Sequence, residues 1–155
     1  MSFLIRPLPA DEFADLFALS DEALHARRAR RVVADRPRAF PCRVSLEDAQ
    51  PGETVMLANF THQAADTPFR ASHAVYVREG IQSAVPEVNE VPEQLRRRTL
   101  SLRAFDAGDM MIAADLADGV AMEPVVEALL ADPRTAYLHA HFAKQGCYAA
   151  RIDRA

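Results

Sequence analysis

The segment Thr135–Asp153 constrains the fold more than any other part of the chain, because two alternating stretches flank the short loop Lys144–Gly146. A three-residue loop that ends in glycine commonly joins antiparallel strands, as a type I turn followed by a glycine bulge. This loop predicts a hairpin in which His139 lies opposite Arg151. Side chains in a strand alternate between two faces, so the predicted pairing also determines which residues share a face.

The predicted register, with His141 opposite Ala149, separates this hairpin into an apolar and a polar face. The apolar face, which carries a single phenol, consists of Leu138, Ala140, Phe142, Tyr148, Ala150 and Ile152. The polar face consists of Tyr137, His139, His141, Cys147, Arg151 and Asp153. A loop longer by one residue would mix the two sets, and register follows the buried face, which favours the three-residue loop.

The rest of the chain adds further strands and short helices. A second hairpin is predicted from Arg98–Phe105 and Asp109–Asp115, again around a three-residue loop that ends in glycine. It would place Leu100, Leu102, Ala104, Met110, Ile112 and Ala114 on one face. Further strands are predicted at Ser2–Arg6, Arg31–Ala34, Glu53–Phe60 and His73–Arg78. Helical segments are predicted from Asp11, from Ser20, and at Leu46–Ala49, Glu93–Arg96 and Glu123–Ala131, the last with proline in its first turn.

These elements predict an α+β fold, with a mainly antiparallel sheet and two or three helices on one face. Half of the residues are hydrophobic and nothing in the chain repeats, so residues 1–155 are expected to form a single domain.

Composition disfavours several classes of partner. The net charge of −4 disfavours a dedicated nucleic-acid-binding protein, and the basic runs Arg27–Arg31 and Arg96–Arg98 lack aromatic stacking residues. No apolar run reaches membrane length, so no membrane partner is expected. Two cysteines and no recognisable signal peptide predict a cytoplasmic protein. Glycine-rich phosphate loops, dinucleotide fingerprints and the common hydrolase motifs are also missing.

Several motifs resemble the family catalogued as domain of unknown function 1203. They are Phe40–Leu46, Pro51–Glu53, Asp66–Phe69, Arg103–Asp106, Tyr137–His141 and Gly146–Arg151, and they span nearly the whole chain. The chain departs from the family pattern at Ser72-His73, where Gly-Pro is usual, and at Phe142, where asparagine is common. The resemblance implies a single domain and no particular activity.

The two cysteines lie in the most distinctive motifs. Cys42 precedes Arg43, and Cys147 shares the predicted polar face with His141 and Arg151. A cation or imidazole beside a thiol stabilises the nucleophilic thiolate, so these residues are candidates for a reactive site. The alternatives are two buried, reduced thiols or a disulfide. We also expect Cys42 and Cys147 to lie close together on the polar side of the sheet.

His139 and His141 point in the same direction because they are two residues apart on one strand. With Cys147 and either Cys42 or Asp153 they could bind zinc in a tetrahedral set, although no paired Cys-x-x-Cys spacing supports one. The alternative is that one imidazole is hydrogen-bonded internally and the other is solvated.

Arg43, Arg103 and Arg151 lie in apolar stretches, where a buried arginine needs an anionic partner. That partner is either an internal carboxylate (Glu53, Asp106 or Asp153) or an anionic ligand.

Two functional hypotheses follow. The first is a pocket that binds, or acts on, a small anionic metabolite. Its predicted lining is Cys42, Arg43, His139, His141, Cys147 and Arg151. The second is a non-catalytic protein that forms a homodimer through an exposed face.

Overall fold

The computed structural model describes residues 1–155 and contains two antiparallel sheets and three short α-helices, which confirms the α+β prediction. The strands are β1 (Phe3–Arg6), β2 (Ala29–Val33), β3 (Thr54–Gln63), β4 (Ala71–Arg78), β5 (Thr99–Phe105), β6 (Met111–Asp118), β7 (Tyr137–Phe142) and β8 (Tyr148–Arg154). The first sheet has the order β1-β8-β7-β5-β6, and the second has the order β2-β3-β4. The sequence did not predict the division into two sheets.

The helices are α1 (Asp21–Ala26), α2 (Glu93–Arg96) and α3 (Glu123–Ala131). Short 3-10 turns occupy Ala10–Glu12 and Ala14–Ala18 where one helix was predicted, and another lies at Gly119–Ala121. The predicted helical turn at Leu46–Ala49 is wrong, because Leu46 has a φ of 55° and a bridge between Pro41 and Asp48 closes this segment as a loop.

Two large apolar clusters and a small third one, formed by Ala34, Phe40, Ala49 and Val55, occupy the interior. In the first, α3 packs with Val126 and Leu130 against the face of the first sheet that carries Leu102 and Leu138. In the second, the residues of β3 and β4 pack with the N-terminal turns and α1, and Tyr148 from β8 joins them. Tyr148 therefore marks where the opposite face of the first sheet meets the second sheet.

The loop of the β7–β8 hairpin is longer than predicted. Gly146 N donates to Phe142 O (2.7 Å) and Phe142 N donates to Cys147 O (2.9 Å), so the loop contains the four residues 143–146. Gly146 has a φ of 78°, which is the left-handed conformation that the sequence suggested for this glycine.

A bulge at Ala149 compensates for the extra loop residue. His139 lies opposite Arg151 as predicted, but His141 lies opposite Tyr148 rather than Ala149. The bulge places one additional residue in β8, so the residues that precede Ala149 point to the face opposite to the predicted one. Tyr148, predicted on the apolar face, therefore lies with the histidines, whereas Cys147, predicted on the polar face, packs against the apolar core together with Ala149.

The β5–β6 hairpin confirms the buried face of β5 but not the predicted partners on β6. Asp109, rather than Gly108, has the positive φ (61°), and the side chain of Asp106 accepts hydrogen bonds from the amides of Gly108 (2.8 Å) and Met110 (3.0 Å). The later turn removes Met110 from its predicted pairing with Ala104, and a bulge at Ile112 moves Ala114 to the opposite face, so Met110 and Ala114 are exposed.

Candidate functional site

Four of the five histidines gather between the two sheets: His62 from β3, His73 from β4, and His139 and His141 from β7. The ring of His62 stacks on His73 at 4.8 Å between centroids, and it lies 5.8 Å from His139 and 5.1 Å from His141. The sequence singled out His139 and His141 but missed His62, because the predicted strand ended at Phe60. Had the alternation of β3 been extended past residue 60, His62 would have been part of a strand.

Strand irregularities position this histidine cluster. In β3, Thr61 pairs with Ser72 and Gln63 pairs with Ala71, so His62 is the additional residue of a bulge. A bulge turns a side chain out of the regular alternation, and bulges are common beside functional sites. In β8, the bulge at Ala149 brings Tyr148 against the cluster, where its ring stacks 4.9 Å from His62.

The imidazole nitrogens have few protein partners. His141 Nδ1 lies 2.9 Å from Gly146 O, and since a carbonyl only accepts, this nitrogen carries the proton and Nε2 has the free lone pair. His62 Nε2 lies 2.7 Å from His73 Nδ1. The buried Nδ1 atoms of His62 and His139 have no hydrogen-bond partner. Buried polar atoms without partners are rare and require an explanation.

The surroundings hold these imidazoles neutral. Burial lowers the pKa of His139 to about 3 and that of His141 to about 3, and it lowers the pKa of His62 to about 4. The neighbouring histidines and the Arg103 guanidinium act in the same direction. Arg103 forms no ion pair, and its Nε donates to Ser101 Oγ at 3.3 Å.

Arg43 is the largest buried polar side chain, with only 1% of its surface exposed. Its guanidinium donates to Tyr148 O (2.8 Å), to Pro41 O and to Cys147 Sγ (3.1 Å). No carboxylate pairs with it, so the predicted internal ion pair is absent at this position. Among the arginines considered from sequence, only Arg151 has such a pair, with Asp153 at 2.8 Å.

A cavity of about 660 Å³ lies beside Arg43. Its wall is formed by Arg36, Arg38, Ala39, Pro41, Arg43, Leu57, His73, Ala74, Tyr76, Arg98, Phe142, Gln145 and Cys147. Four of these residues are arginines and none is acidic. His73 belongs to both the cavity wall and the histidine cluster, so the two features are adjacent.

The six residues predicted to share one pocket are divided among different surroundings. Arg43 and Cys147 line the cavity, whereas His139 and His141 lie in the histidine cluster. Arg151 stacks 4.0 Å above the ring of Tyr137, away from the cavity wall.

Cys42 is fully buried, and its Sγ accepts from the amides of Ser45 (3.4 Å) and Arg78 (3.3 Å). Both thiols are free. Because their sulfur atoms have different partners, the predicted proximity of Cys42 and Cys147 gains no support from these contacts and stays a prediction.

No helix of the chain has the length and apolar character needed to cross a membrane. No curated protein and no solved structure matches the chain. Residues 39–154 match the model of one family. The matched segment contains all four clustered histidines, and it contains every cavity residue except Arg36 and Arg38. The chain belongs to the family described as "Protein of unknown function (DUF1203)".

Proposed function

We propose that this protein binds a small anionic metabolite in the arginine-lined cavity. The observation that carries the proposal is the charge of the wall, which contains Arg36, Arg38, Arg43 and Arg98 and no acidic residue. A guanidinium presents several N–H donors in a planar fork that matches carboxylate and phosphate groups.

The four arginines differ in how much of their charge is already compensated. Arg36 pairs with Asp35 at 2.9 Å, and Arg98 pairs with Asp48 at 2.8 Å. Arg38 and Arg43 form no ion pair. Arg38 is exposed, whereas Arg43 is buried at the cavity wall, so an anion would find one cation at the entrance and one at the base.

Phe142 adds an apolar surface to the same wall. The guanidinium carbons of Arg43 and Arg98 lie 4.9 Å and 5.1 Å from the centroid of its ring. This ring stabilises both cations by cation–π interaction, and the half-buried Leu57 and Tyr76 of the same wall provide a contact for the carbon skeleton of a ligand. The wall thus suits an organic acid better than a bare inorganic anion.

A second cavity, of about 530 Å³, provides a contrast. Its wall includes Glu47, Asp48, Glu87, Glu90 and Glu93, with Arg78 and Arg97 as the only cations. An anion would meet net repulsion there.

A thermal-shift screen of carboxylates, phosphates and phosphorylated sugars at constant ionic strength tests the proposal. A ligand present at about 100 times its Kd stabilises the native state by about 2.7 kcal/mol, which corresponds to a rise of roughly 5–10 °C in Tm for a chain of this length. The variant R38Q is expected to reduce the rise. R30Q, which removes an exposed arginine that makes no ion pair and lies outside this cavity, is the matched control and should keep it.

A screen in which no anion raises the Tm would refute the proposal, as would an equal loss in R38Q and R30Q. Light scattering on the same samples tests the alternative of a homodimer, which stays a prediction. A monomer that responds to an anion separates the two hypotheses.

A further inference from the structure

We propose that His62, His139 and His141 bind a divalent transition metal ion, with zinc as the best fit. One nitrogen from each imidazole lies within 4.8 Å of the corresponding nitrogens of the other two. This site is independent of the anion proposal, since none of its three ligands lines the arginine cavity.

The three residues come from different sheets but converge on one point. His139 and His141 share a face of β7, and His62 reaches them from the bulge in β3. In a tetrahedral zinc site with Zn–N bonds of about 2.0 Å, ligand nitrogens lie about 3.3 Å apart. Binding therefore requires the longest of these separations to shorten by about 1.5 Å.

The hydrogen bonds favour ligation. The bond from His141 Nδ1 to the Gly146 carbonyl orients the ring and leaves Nε2 as the electron-pair donor. Histidine ligands in metal sites usually have their second nitrogen fixed by such a backbone or carboxylate acceptor. The unpartnered, buried Nδ1 atoms of His62 and His139 are also explained if these rings bind an ion.

The types of donor determine which metals fit. Three imidazoles without a carboxylate suit zinc, copper, iron or nickel, whereas magnesium and calcium require oxygen ligands. Three histidines also leave one position of a tetrahedral ion open, the arrangement found in catalytic rather than structural zinc sites.

Charge determines what fills the open position. Arg103 on β5 lies directly opposite His139 on β7, and it has no carboxylate partner. A water molecule can fill the open position, and an anionic fourth ligand, such as hydroxide or an acid group, would in addition offset the charge of a dication beside an unpaired guanidinium.

Direct metal binding tests this inference. Protein without a histidine tag is treated with a chelator, dialysed and titrated with Co²⁺, which gives intense visible absorption when it is tetrahedral, and then with Zn²⁺ in competition. We expect one ion per chain, displacement of Co²⁺ by Zn²⁺, and a rise of several degrees in Tm.

H62Q, H139Q and H141Q are each expected to weaken binding about a hundredfold or more. H25Q, which alters the one histidine outside the cluster, is the matched control and should bind as the wild type does. Circular dichroism establishes that each variant is folded. If a ligand variant does not fold, the wild-type Co²⁺ spectrum decides the question, because fewer than one tetrahedral ion per chain at micromolar concentration would overturn the proposal. Binding that is equal in H25Q and in folded ligand variants would also overturn it and indicate adventitious metal.

Discussion

Mild acidification is expected to destabilise the metal-free protein through the buried histidines. Burial lowers the pKa of both His139 and His141 to about 3, whereas an imidazole in the unfolded chain has a pKa of about 6.5. As the pH falls below 6.5, the unfolded chain takes up protons that the folded protein does not. The stability is therefore complete above pH 6.5 and declines as the pH falls towards 3.

The loss of unfolding free energy at a chosen pH depends mainly on how far the histidines of the unfolded chain are protonated. At pH 5.5 both imidazoles remain neutral in the folded protein, so each lowers the free energy of unfolding by about 1.4 kcal/mol relative to high pH. His139 and His141 together account for roughly 2.8 kcal/mol. His62 and His73 act in the same direction but are more exposed to solvent, so their contributions are smaller. The carboxylates with lowered pKa values, such as Asp132 with a pKa of about 2, remain ionised at pH 5.5 and add little to the loss of unfolding free energy.

Urea denaturation of chelator-treated protein at pH 7.5 and pH 5.5 measures this difference. H139Q is expected to show a difference smaller by about 1.4 kcal/mol, because one neutral imidazole has been removed. H25Q removes an exposed histidine and should leave the difference unchanged. The reasoning is refuted if the wild type has equal free energies of unfolding at the two pH values, or if H139Q and the wild type lose the same amount.

Three further changes test the fold and the thiols. G119A should lower the free energy of unfolding by more than about 3 kcal/mol, because a Cβ there would lie 1.9 Å from a backbone carbonyl oxygen of α2. G108A is the control and should change urea stability little, because its Cβ would meet only a side-chain oxygen at 3.3 Å. Similar losses in both variants would contradict the packing. Iodoacetamide should alkylate the half-buried Cys147 in the native protein much faster than the fully buried Cys42, as mass spectrometry of peptides would show, and equal rates would contradict the burial described. S20A should lower the free energy of unfolding by about 1 kcal/mol, because the Ser20 hydroxyl accepts the Ala23 amide at 3.2 Å and caps α1; an unchanged urea midpoint would mean that this cap does not contribute.

The sequence by itself determined most of the local elements. Alternation within Tyr137–Phe142 predicted that His139 and His141 share one face, and proline near the start of an apolar stripe predicted α3. These predictions succeed because the direction of a side chain in a strand or a helix depends on the spacing of nearby residues. The α+β class follows from the order and the lengths of those elements.

The tertiary structure decided the site. His62 meets His139 and His141 only because β3 and β7, from separate sheets, pack face to face, and no local pattern encodes that contact. The bulges in β3 and β8 and the four-residue loop 143–146 depend on which register buries the most apolar surface across several strands. A single hairpin cannot specify that register.

The surroundings of Arg43 likewise could not be predicted from local sequence. Its sequence neighbours predicted an anionic partner, but its guanidinium donates to the carbonyl oxygen of Pro41, two residues away, and to a carbonyl oxygen and a thiol from the distant segment Cys147–Tyr148. A backbone carbonyl becomes an available acceptor only where a loop or a bulge interrupts the sheet, so tertiary packing, not residue type, determined how this charge is held.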